Sequence, residues 1–591
     1  MRKILTVVLI FSLILIVNIY AQEKASTPSE RQIAFEQRRQ EMAKSSLFQN
    51  LPFRCVGPVV MSGRAVDIEP HPTDPYTFFV AYATGGLWRT NSIGMNFEPL
   101  FDNQNAITIG DIAIDPKNPN IIWVGTGENN SSRSSYAGTG IYKTTDGGKT
   151  WRFMGLSDSH HIGRIIIHPK NSDIVYVAAL GHLYTENEER GIYRTKDGGK
   201  TWENILFINS RTGFIDLVIN PKNPDILYGA AWEKDRKAWN LVEGGTSSGI
   251  YKSIDSGDSW TLLNGGFPQG EHVGRIGLAI FPENPEIVYA LVDNQALRPE
   301  EEQKEDAEIT ARKLMTMEKK DILGLTDDDL SGFLRRFGFH SDYTAKIIRD
   351  KLTDNEITVE DLINFIKKNN PHAFDKTIIG GEVYRSENGG ATWTKTNEDY
   401  IDSFYSTYGY YFGEIRVAPD NADKIYILGV PLLTSDDGGK NFCYLGGKGV
   451  HGDHQAFWID PNFPDHMIDG NDGGLNITYN GGKSWWKLNY VPNGQFYSVN
   501  VDMAQPYNIY GGLQDNGVFK GSSLSKPLKS PPWERVYGGD GMYVQIDPED
   551  FTIYTGLQFG NYARINPKSK RSTRITPRPR LFDPGLRYNW Q

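Results

Sequence analysis

One eight-residue stretch, Thr144-Thr-Asp-Gly-Gly-Lys-Thr-Trp151, decides the fold, because it recurs along the chain. The shared pattern is Ser/Thr-x-Asp-x-Gly-x-Thr/Ser-Trp, and each residue type suits a hairpin turn. The Asp carboxylate can accept turn amide hydrogens, Gly supplies positive φ, and the closing aromatic buries a large area. Clear copies are Thr144–Trp151, Thr195–Trp202 and Ser253–Trp260; near copies are Ser386–Trp393, Ser435–Phe442 and Thr478–Trp485; Thr90–Phe97 is degenerate.

A second repeat alternates with the first. It is an apolar strand that runs into a Pro-containing turn and a second strand, as in Ile112-Ala-Ile-Asp-Pro116 followed by Ile121-Ile-Trp-Val-Gly125. Pro fixes φ and Asn or Asp tolerates the left-handed conformation, so the pattern predicts a hairpin. The units begin about 45–60 residues apart, which is typical of four-stranded propeller blades. The sequence therefore predicts an all-β chain folded as a β-propeller.

The first repeat resembles the Asp boxes, or bacterial neuraminidase repeats, of sialidase-like and sortilin-like propellers. Seven copies in phase with a second repeat make the resemblance specific. In that class the boxes lie on outer hairpins remote from the ligand, so we expect Asp146, Asp197, Asp255 and Asp437 to be structural.

The domain organisation follows from these repeats and their interruptions. Residues 1–21 predict a signal peptide, because Arg2 and Lys3 precede an apolar run, and 27–47 predict one helix. An Asp-box propeller is expected over 50–495. Within it, 296–376 are charged and carry helix N-cap patterns at Thr326, Thr353 and Thr358, which predicts a small helical insertion.

Nine strand units exceed a seven-bladed ring. Residues 496–591 are therefore expected to form further blades that begin a second, tandem propeller, with one larger ring as the alternative. The sequence reaches Gln591 without a closing strand pattern, so we expect a chain that stops within that second propeller.

Composition narrows the function. The formal net charge of −10 argues against nucleic acid as a partner, and no segment after the signal is apolar enough to span a membrane. We therefore expect a secreted or periplasmic protein. No phosphate-binding loop, dinucleotide fingerprint or zinc-protease helix occurs, and we assign no cofactor and no metal.

Candidate site residues lie just ahead of the inner strands, because propellers place ligands at the axis. Glycoside hydrolysis needs two carboxylates, and aromatic side chains can stack on sugars. The catalytic candidates are Asp453, Glu414 and Asp540, and the ligand-binding candidates are Arg64, Asp111, Arg164, Arg275, His454, Tyr408 and Tyr411. Paired Arg and carboxylate groups can equally serve only to neutralise one another in a channel.

Three enzyme or repeat families can be compared with this sequence. Phe53-Arg54 resembles the start of the sialidase Phe-Arg-Ile-Pro motif, but Cys55-Val56 does not complete it. Xyloglucan-hydrolysing endoglucanases, which have tandem propellers, carry one catalytic Asp before a Gly-Gly turn in the first blade. Here Ala83 stands at that place, while Gly452-Asp453 resembles the surroundings of their second Asp.

The third resemblance covers essentially the whole mature chain. It is to large bacterial exported glycosyl-hydrolase-like repeat proteins with a sortilin N-terminal-type region, and it implies fold and export without an established reaction. The stretches that carry it are Gly125-Thr-Gly-Glu-Asn-Asn130, Gly449-Val-His-Gly-Asp-His454, Asp469-Gly-Asn-Asp-Gly-Gly474 and Gly512-Leu-Gln-Asp-Asn-Gly517. The last two are interpreted first as tight turns and second as ligand loops.

Two functions remain open from sequence. The first is a propeller that handles extracellular or periplasmic glycans, as a glycoside hydrolase or as a binder. The alternative is a non-catalytic sortilin-like propeller that binds a peptide or protein in its channel by strand addition.

Overall fold

The computed structural model describes residues 27–45, 53–299, 302, 309–405, 408–488, 490–526 and 533–583. The predicted signal peptide lies outside this part of the chain. Nine four-stranded antiparallel sheets follow one another along the described residues, each a blade. The all-β propeller prediction is confirmed.

Blades 1 to 3 have their strands in simple sequential order. Blade 1 contains β1 (Ala65–Pro70), β2 (Phe78–Tyr82), β3 (Gly86–Thr90) and β4 (Glu98–Pro99); blade 2 contains β5 (Ile109–Ile114), β6 (Ile122–Thr126), β7 (Ile141–Thr144) and β8 (Arg152–Phe153); blade 3 contains β9 (Ile162–Ile167), β10 (Val175–Ala179), β11 (Gly191–Thr195) and β12 (Glu203–Leu206).

Blades 4 and 5 are interrupted by extra elements. Blade 4 contains β13 (Thr212–Ile219), β14 (Leu227–Glu233), β17 (Gly249–Ser253) and β18 (Thr261–Leu263), with a small hairpin of β15 (Asp235–Arg236) and β16 (Leu241–Val242); blade 5 contains β19 (Val273–Ile280), β20 (Val288–Leu297), β21 (Ile378–Ser386) and β22 (Thr394–Lys395).

Blades 6 to 9 return to the sequential order. Blade 6 contains β23 (Glu414–Ala418), β24 (Asn421–Leu428), β25 (Leu432–Ser435) and β26 (Cys443–Tyr444); blade 7 contains β27 (His454–Ile459), β28 (Met467–Asn471), β29 (Gly474–Thr478) and β30 (Trp486–Leu488); blade 8 contains β31 (Phe496–Val501), β32 (Asn508–Leu513), β33 (Gly517–Ser522) and β34 (Glu534–Tyr537); blade 9 contains β35 (Val544–Ile546), β36 (Ile553–Leu557), β37 (Asn561–Ile565) and β38 (Ser572–Arg574).

The ring closes after seven blades. Inner strand β1 packs against β27, and a buried apolar cluster joins blade 1 to blade 7 through residues such as Ala65, Val80, Ala456 and Leu475. Gly470 permits this approach, since a Cβ there would lie 3.1 Å from the Cβ of Ala65. Blades 8 and 9 pack on each other through β31 and β35, outside that closed ring.

Blade 8 is attached to the ring through the segment that precedes β1. Trp533 of blade 8 lies in an apolar cluster with Val56 and Met61, and its indole N–H donates to the Val56 carbonyl at 2.8 Å. The Arg54 guanidinium donates to the Ser525 carbonyl at 2.9 Å. The residues directly ahead of blade 1 therefore join the closed ring to the next blades.

The Asp-box turns have the geometry that their residues predict. Thr144 Oγ1 accepts from the Gly148 N–H at 3.0 Å, and Asp146 Oδ1 accepts from the Thr150 N–H at 2.9 Å. The closing Trp151 donates from its indole to the Leu100 carbonyl of the preceding blade at 2.8 Å. The box fixes a turn and also connects its blade to a neighbour, and Trp202 and Trp485 make equivalent bonds to the carbonyls of Met154 and Leu445.

Antiparallel strand order divides the loops between two faces of the ring. The Asp-box turns and the Pro turns lie on one face, the box face. The loops that lead into each inner strand and those between second and third strands lie on the other, the loop face. The longest connections, including 298–377 of blade 5, are on the loop face.

The helices also extend this side of the molecule. Helix α1 (Pro28–Ser45) reaches blade 2, where Gln32 bonds with Tyr142 at 3.2 Å. The blade 5 insertion contains α2 (Ala311–Thr316), α3 (Lys319–Leu323), α4 (Asp327–Arg336), α5 (Ala345–Thr353) and α6 (Val359–Asn369), followed by a 3-10 turn at Pro371–Phe374. The helices share an apolar core that includes Leu581, which follows blade 9. Among the described residues, no helix has the length and apolarity to cross a membrane.

Candidate functional site

Several predicted site residues meet at the ring axis, in what we call the channel network. The guanidinium of Arg164 contacts Asp111 at 2.9 Å, Asp216 at 3.0 Å and Glu414 at 2.9 Å. These residues come from blades 3, 2, 4 and 6 in turn, so one side chain bridges the centre of the ring.

Backbone bulges orient the carboxylates of this network. The pairing of the first two strands shifts register directly before Asp67, Asp111 and Asp216. A bulge re-aims the side chain that follows it. Each of these carboxylates accepts a backbone N–H from the inner strand of the next blade, at Ile112, Ile165 and Leu278 respectively. The carboxylates therefore join neighbouring blades.

Glu414 is held ionised in the channel network. Burial raises its pKa, but the guanidinium groups of Arg416, Arg164 and Arg275 outweigh burial and lower the pKa to about 2. A carboxyl group with so low a pKa is a poor proton donor at neutral pH. Its surroundings favour a structural role.

A second arginine, directly ahead of blade 1, organises a group of acids from the loops of blades 2, 7, 8 and 9. This seam cluster is centred on Arg64, whose guanidinium contacts Glu128 at 2.8 Å, Asp472 at 3.2 Å and Asp515 at 4.0 Å. Its other members are Asp453 and Asp540. The Asp453 carbonyl accepts from the Asp472 N–H at 3.2 Å, and the Asp540 carboxylate accepts from the Asp515 N–H at 2.9 Å.

The seam cluster holds more carboxylates than one guanidinium can neutralise. Burial and then Asp472 raise the pKa of Asp453 to about 6, despite opposing contributions from His451, His454 and Arg64. Burial, together with Asp472, Asp540 and Asp453, also raises the pKa of Asp515. Carboxyl groups that remain protonated near neutral pH can act as general acids.

The backbone and the aromatic residues distinguish this place further. Asp453 and Asp515 both adopt left-handed conformations, with φ of 64° and 62°, which non-glycine residues seldom do outside constrained sites. Tyr411 lies over the Arg64 guanidinium at 4.6 Å, and its hydroxyl donates to Asp472 at 3.3 Å. Tyr408 is 40% exposed, and its pKa is raised by burial and then by the charges of Asp453 and Asp540. An aromatic side chain thus borders the acids on the solvent side.

The predicted site residues therefore separate into two groups. Asp111, Arg164 and Glu414 lie in the channel network, while Arg64, Asp453, Asp540, Tyr408 and Tyr411 lie in or beside the seam cluster. Arg275 lies between them, with Nη1 donating to the Asn129 and Tyr411 carbonyls at 3.1 and 3.2 Å. His454 is buried and pairs with Asp469 at 2.7 Å.

Sequence reasoning missed three members of the seam cluster: Glu128, Asp472 and Asp515. All three lie in stretches that carry the resemblance to exported repeat proteins, namely 125–130, 469–474 and 512–517. The signal was present, but those stretches were interpreted first as turns. Their common meeting point at Arg64 depends on ring closure and on the position of blade 8.

A known protein family matches part of the chain. The family described as Sortilin, neurotensin receptor 3 (Sortilin-Vps10) matches residues 139–321. A xyloglucanase of Paenibacillus sp. is 25% identical over 204 residues, which are 31% of this chain and 19% of that protein. An oligoxyloglucan-reducing end-specific xyloglucanase of Emericella nidulans is 24% identical over 227 residues, 35% of this chain and 25% of that protein. The matched regions thus span a quarter or less of these relatives.

Solved structures agree with the fold. The GH74 xyloglucanase from Xanthomonas campestris superposes with a TM-score of 0.55 at 13% identity, over 89% of this chain and 69% of that one. An ancestral GH74 enzyme gives a TM-score of 0.54 at 14% identity, over 89% and 63% respectively. This chain is an Asp-box β-propeller protein. Within that class it carries a region similar to the sortilin-Vps10 family and shares its propeller fold with GH74 enzymes.

Proposed function

We propose that this protein handles glycans at the seam cluster and acts there as a glycoside hydrolase. The observation that carries the proposal is Asp453, a carboxyl group with a pKa of about 6 that adjoins other carboxylates and a partly exposed tyrosine. Hydrolysis of a glycosidic bond requires one protonated and one ionised carboxyl group.

The surroundings suggest a role for each acid. Asp453 is the general acid, because burial and Asp472 raise its pKa to about 6, so that it is protonated over a wider pH range than an ordinary Asp. Asp540 is the proposed partner carboxylate: burial raises its pKa, and the hydrogen bond that it accepts from the N–H of Asp515 opposes that rise. Arg64, with Glu128 and Asp472, holds the cluster in place. We assign Glu414 no catalytic role, because the guanidinium groups around it in the channel network keep it ionised.

Similarity to xyloglucanases supports a polysaccharide substrate, and we propose a β-glucan with xyloglucan as the first to test. A secretory signal at 1–21 would deliver the protein to such substrates outside the cytoplasm. The absence of a carboxylate at Ala83 means that the pair of acids differs in position from the one that the endoglucanase resemblance implies.

The test is reducing-sugar release by the purified chain on xyloglucan and a panel of plant, algal and host glycans. We expect Asp453→Asn and Asp540→Asn each to lower kcat by roughly 100-fold or more, the usual contribution of a general acid or base. Asp437→Asn on the box face is the control and should retain full activity. Release by wild type that both seam variants retain, or no release by folded wild type on any glycan, would refute the proposal.

The peptide-binding alternative has one observation in its favour, the sortilin-type match over 139–321. Strand addition in the channel would need an open axis lined by an exposed strand edge or by apolar side chains. The Arg164 guanidinium and its three carboxylates occupy that axis instead. Binding of extended peptides by wild type, unaltered by Asp453→Asn, would favour this alternative.

A further inference from the structure

Two loops of blade 3 bring together a set of metal-ligating side chains away from the seam cluster. Asp158 and His160 lie in the loop that leads into β9, and His182 lies in the loop that follows β10. One ligand-type atom from each side chain lies within 4.8 Å of the other two. The three residues come from two loops that are more than 20 residues apart in the chain, so they do not form a recognisable sequence motif.

The distances within this trio are longer than those of a typical charge-assisted hydrogen bond. Nε2 of His160 lies 3.3 Å and Nε2 of His182 lies 3.4 Å from the same oxygen, Oδ1 of Asp158. Charge-assisted N–H···O bonds are normally about 2.7–2.9 Å long. Ligand atoms about 2.0–2.1 Å from a tetrahedral Zn²⁺ are instead about 3.3–3.4 Å from one another. The separations of both imidazoles from the carboxylate match that edge length.

A hydroxyl contact orients the imidazole of His182, which stacks on that of His160. Nδ1 of His182 bonds with Thr185 Oγ1 at 2.8 Å, the kind of contact that fixes the tautomer of a metal-binding histidine and leaves Nε2 free to ligate. The His160 and His182 rings stack at 3.8 Å between centroids, closer than the about 5 Å expected for two imidazoles on one tetrahedral ion, so ligation would move the rings apart by about 1 Å. His160 has φ of 54°, and its carbonyl accepts the Gly138 N–H at 2.7 Å.

The exposure of the three side chains also suits a metal ion. The Asp158 side chain is 37% exposed, and those of His160 and His182 are 20% and 22% exposed. Solvent can thus reach the trio and complete a coordination shell.

We propose that Asp158, His160 and His182 form a binding site for a divalent transition-metal ion, with Zn²⁺ the expected ion and water as its fourth ligand. Two imidazoles and a carboxylate are the ligands that Zn²⁺ accepts in three-residue sites. The ion would clip the two blade 3 loops together. Because the Tyr184 hydroxyl donates to the Arg133 carbonyl, the clip would also steady the blade 2 loop that carries Glu128.

The experiment uses the full chain, stripped with a chelator and dialysed, and then titrated with Zn²⁺ in a calorimeter. Co²⁺ is added in parallel, because its visible absorption reports tetrahedral nitrogen and oxygen ligation. The variants are His160→Ala, His182→Ala and Thr185→Val. The matched control is His372→Ala, which removes an exposed histidine that pairs with Asp375 at 3.0 Å.

We expect one Zn²⁺ per chain and an intense tetrahedral Co²⁺ spectrum for wild type and for His372→Ala. Both ligand variants should lose the spectrum and the calorimetric signal, and Thr185→Val should weaken binding by about 10-fold. Saturating Zn²⁺ should raise the apparent melting temperature of wild type but not of His182→Ala, which keeps the test valid if that variant is less stable. Equal Zn²⁺ binding by wild type and His182→Ala, or no binding by folded wild type, would overturn the site.

Discussion

The channel network and the seam cluster contain the same types of residue, but the pKa values of their buried acids are shifted in opposite directions. In each, one arginine reaches carboxylates from several blades: Arg164 in the channel and Arg64 at the seam. Glu414 of the channel faces three guanidinium groups, which lower its pKa to about 2. Asp453 of the seam has further carboxylates around it, and its pKa is raised to about 6 by burial and Asp472.

The difference shows that the local balance of charge, and not residue type, decides what a buried acid can do. A carboxylate that is matched by arginines stays ionised and contributes to the connection between blades. A carboxyl group placed in an acidic surplus keeps a proton that it can donate. Glu414 and Asp453 looked equivalent in the sequence, since each follows a glycine ahead of an inner strand.

Arg164→Leu should produce the largest effect on stability. The substitution leaves Asp111 and Asp216 buried without their cation and removes one of the three guanidinium groups that face Glu414. Breaking a buried ion pair costs about 3–5 kcal/mol. Chemical unfolding monitored by tryptophan fluorescence measures the loss. The control is Arg211→Leu, which removes a 2.7 Å pair with Glu233 from a side chain 49% exposed and should cost less than about 1 kcal/mol. Equal losses would contradict a structural role for the channel network.

The pH dependence of activity tests whether Asp453 of the seam cluster is the general acid. Because the proposed general acid must be protonated, kcat should be highest below about pH 6, the pKa of Asp453, and should fall about tenfold per pH unit above it. The glycan assay repeated from pH 4 to 8 measures this limb. Glu414→Gln should leave the limb in place after correction for the folded fraction. An activity that is flat across pH 6 would show that Asp453 is not the acid.

The smallest effect is expected on the box face. Hydrogen bonds from Thr150 and Thr144 lower the pKa of Asp146 from 3.8 to about 2, and similar bonds do the same for Asp197 and Asp255. Their stabilisation is fully present above about pH 4 and is lost as pH falls through about 2. A triple Asp→Asn variant, which lacks these charges, should therefore be slightly less stable than wild type at pH 7 and should lose less stability on acidification.

Two boxes of this chain already carry Asn at the position of the Asp. Asn388 replaces Asp in the fifth-blade box, and its Oδ1 accepts the Thr392 N–H at 2.9 Å. Asn480 makes the same turn in blade 7, accepting from Ser484 at 3.0 Å. Melting curves at pH 3 and pH 7 compare the two proteins. A large loss of stability at pH 7 would show that the boxes need charge as well as geometry.

Local sequence was sufficient to predict the blades. The Asp-box and Pro-turn patterns each specify a hairpin within about ten residues, so strand pairs such as β5 and β6 follow from short-range chemistry. The position of Asp453 and Asp540 ahead of inner strands was equally readable, and these two acids do share the seam cluster. Glu128, Asp472 and Asp515 required knowledge of which loops meet.

The sequence by itself determined that this chain is a repeated all-β protein, because hairpin turns and strand alternation are encoded by neighbouring residues. Only the tertiary structure decided that the ring closes between blades 1 and 7, and that Arg64 meets acids more than 400 residues away along the chain. Burial and charge depend on distances in space, which residue spacing along a chain does not report. The ionisation of Glu414 and Asp453, and the meeting of Asp158, His160 and His182, were therefore set by the folded ring.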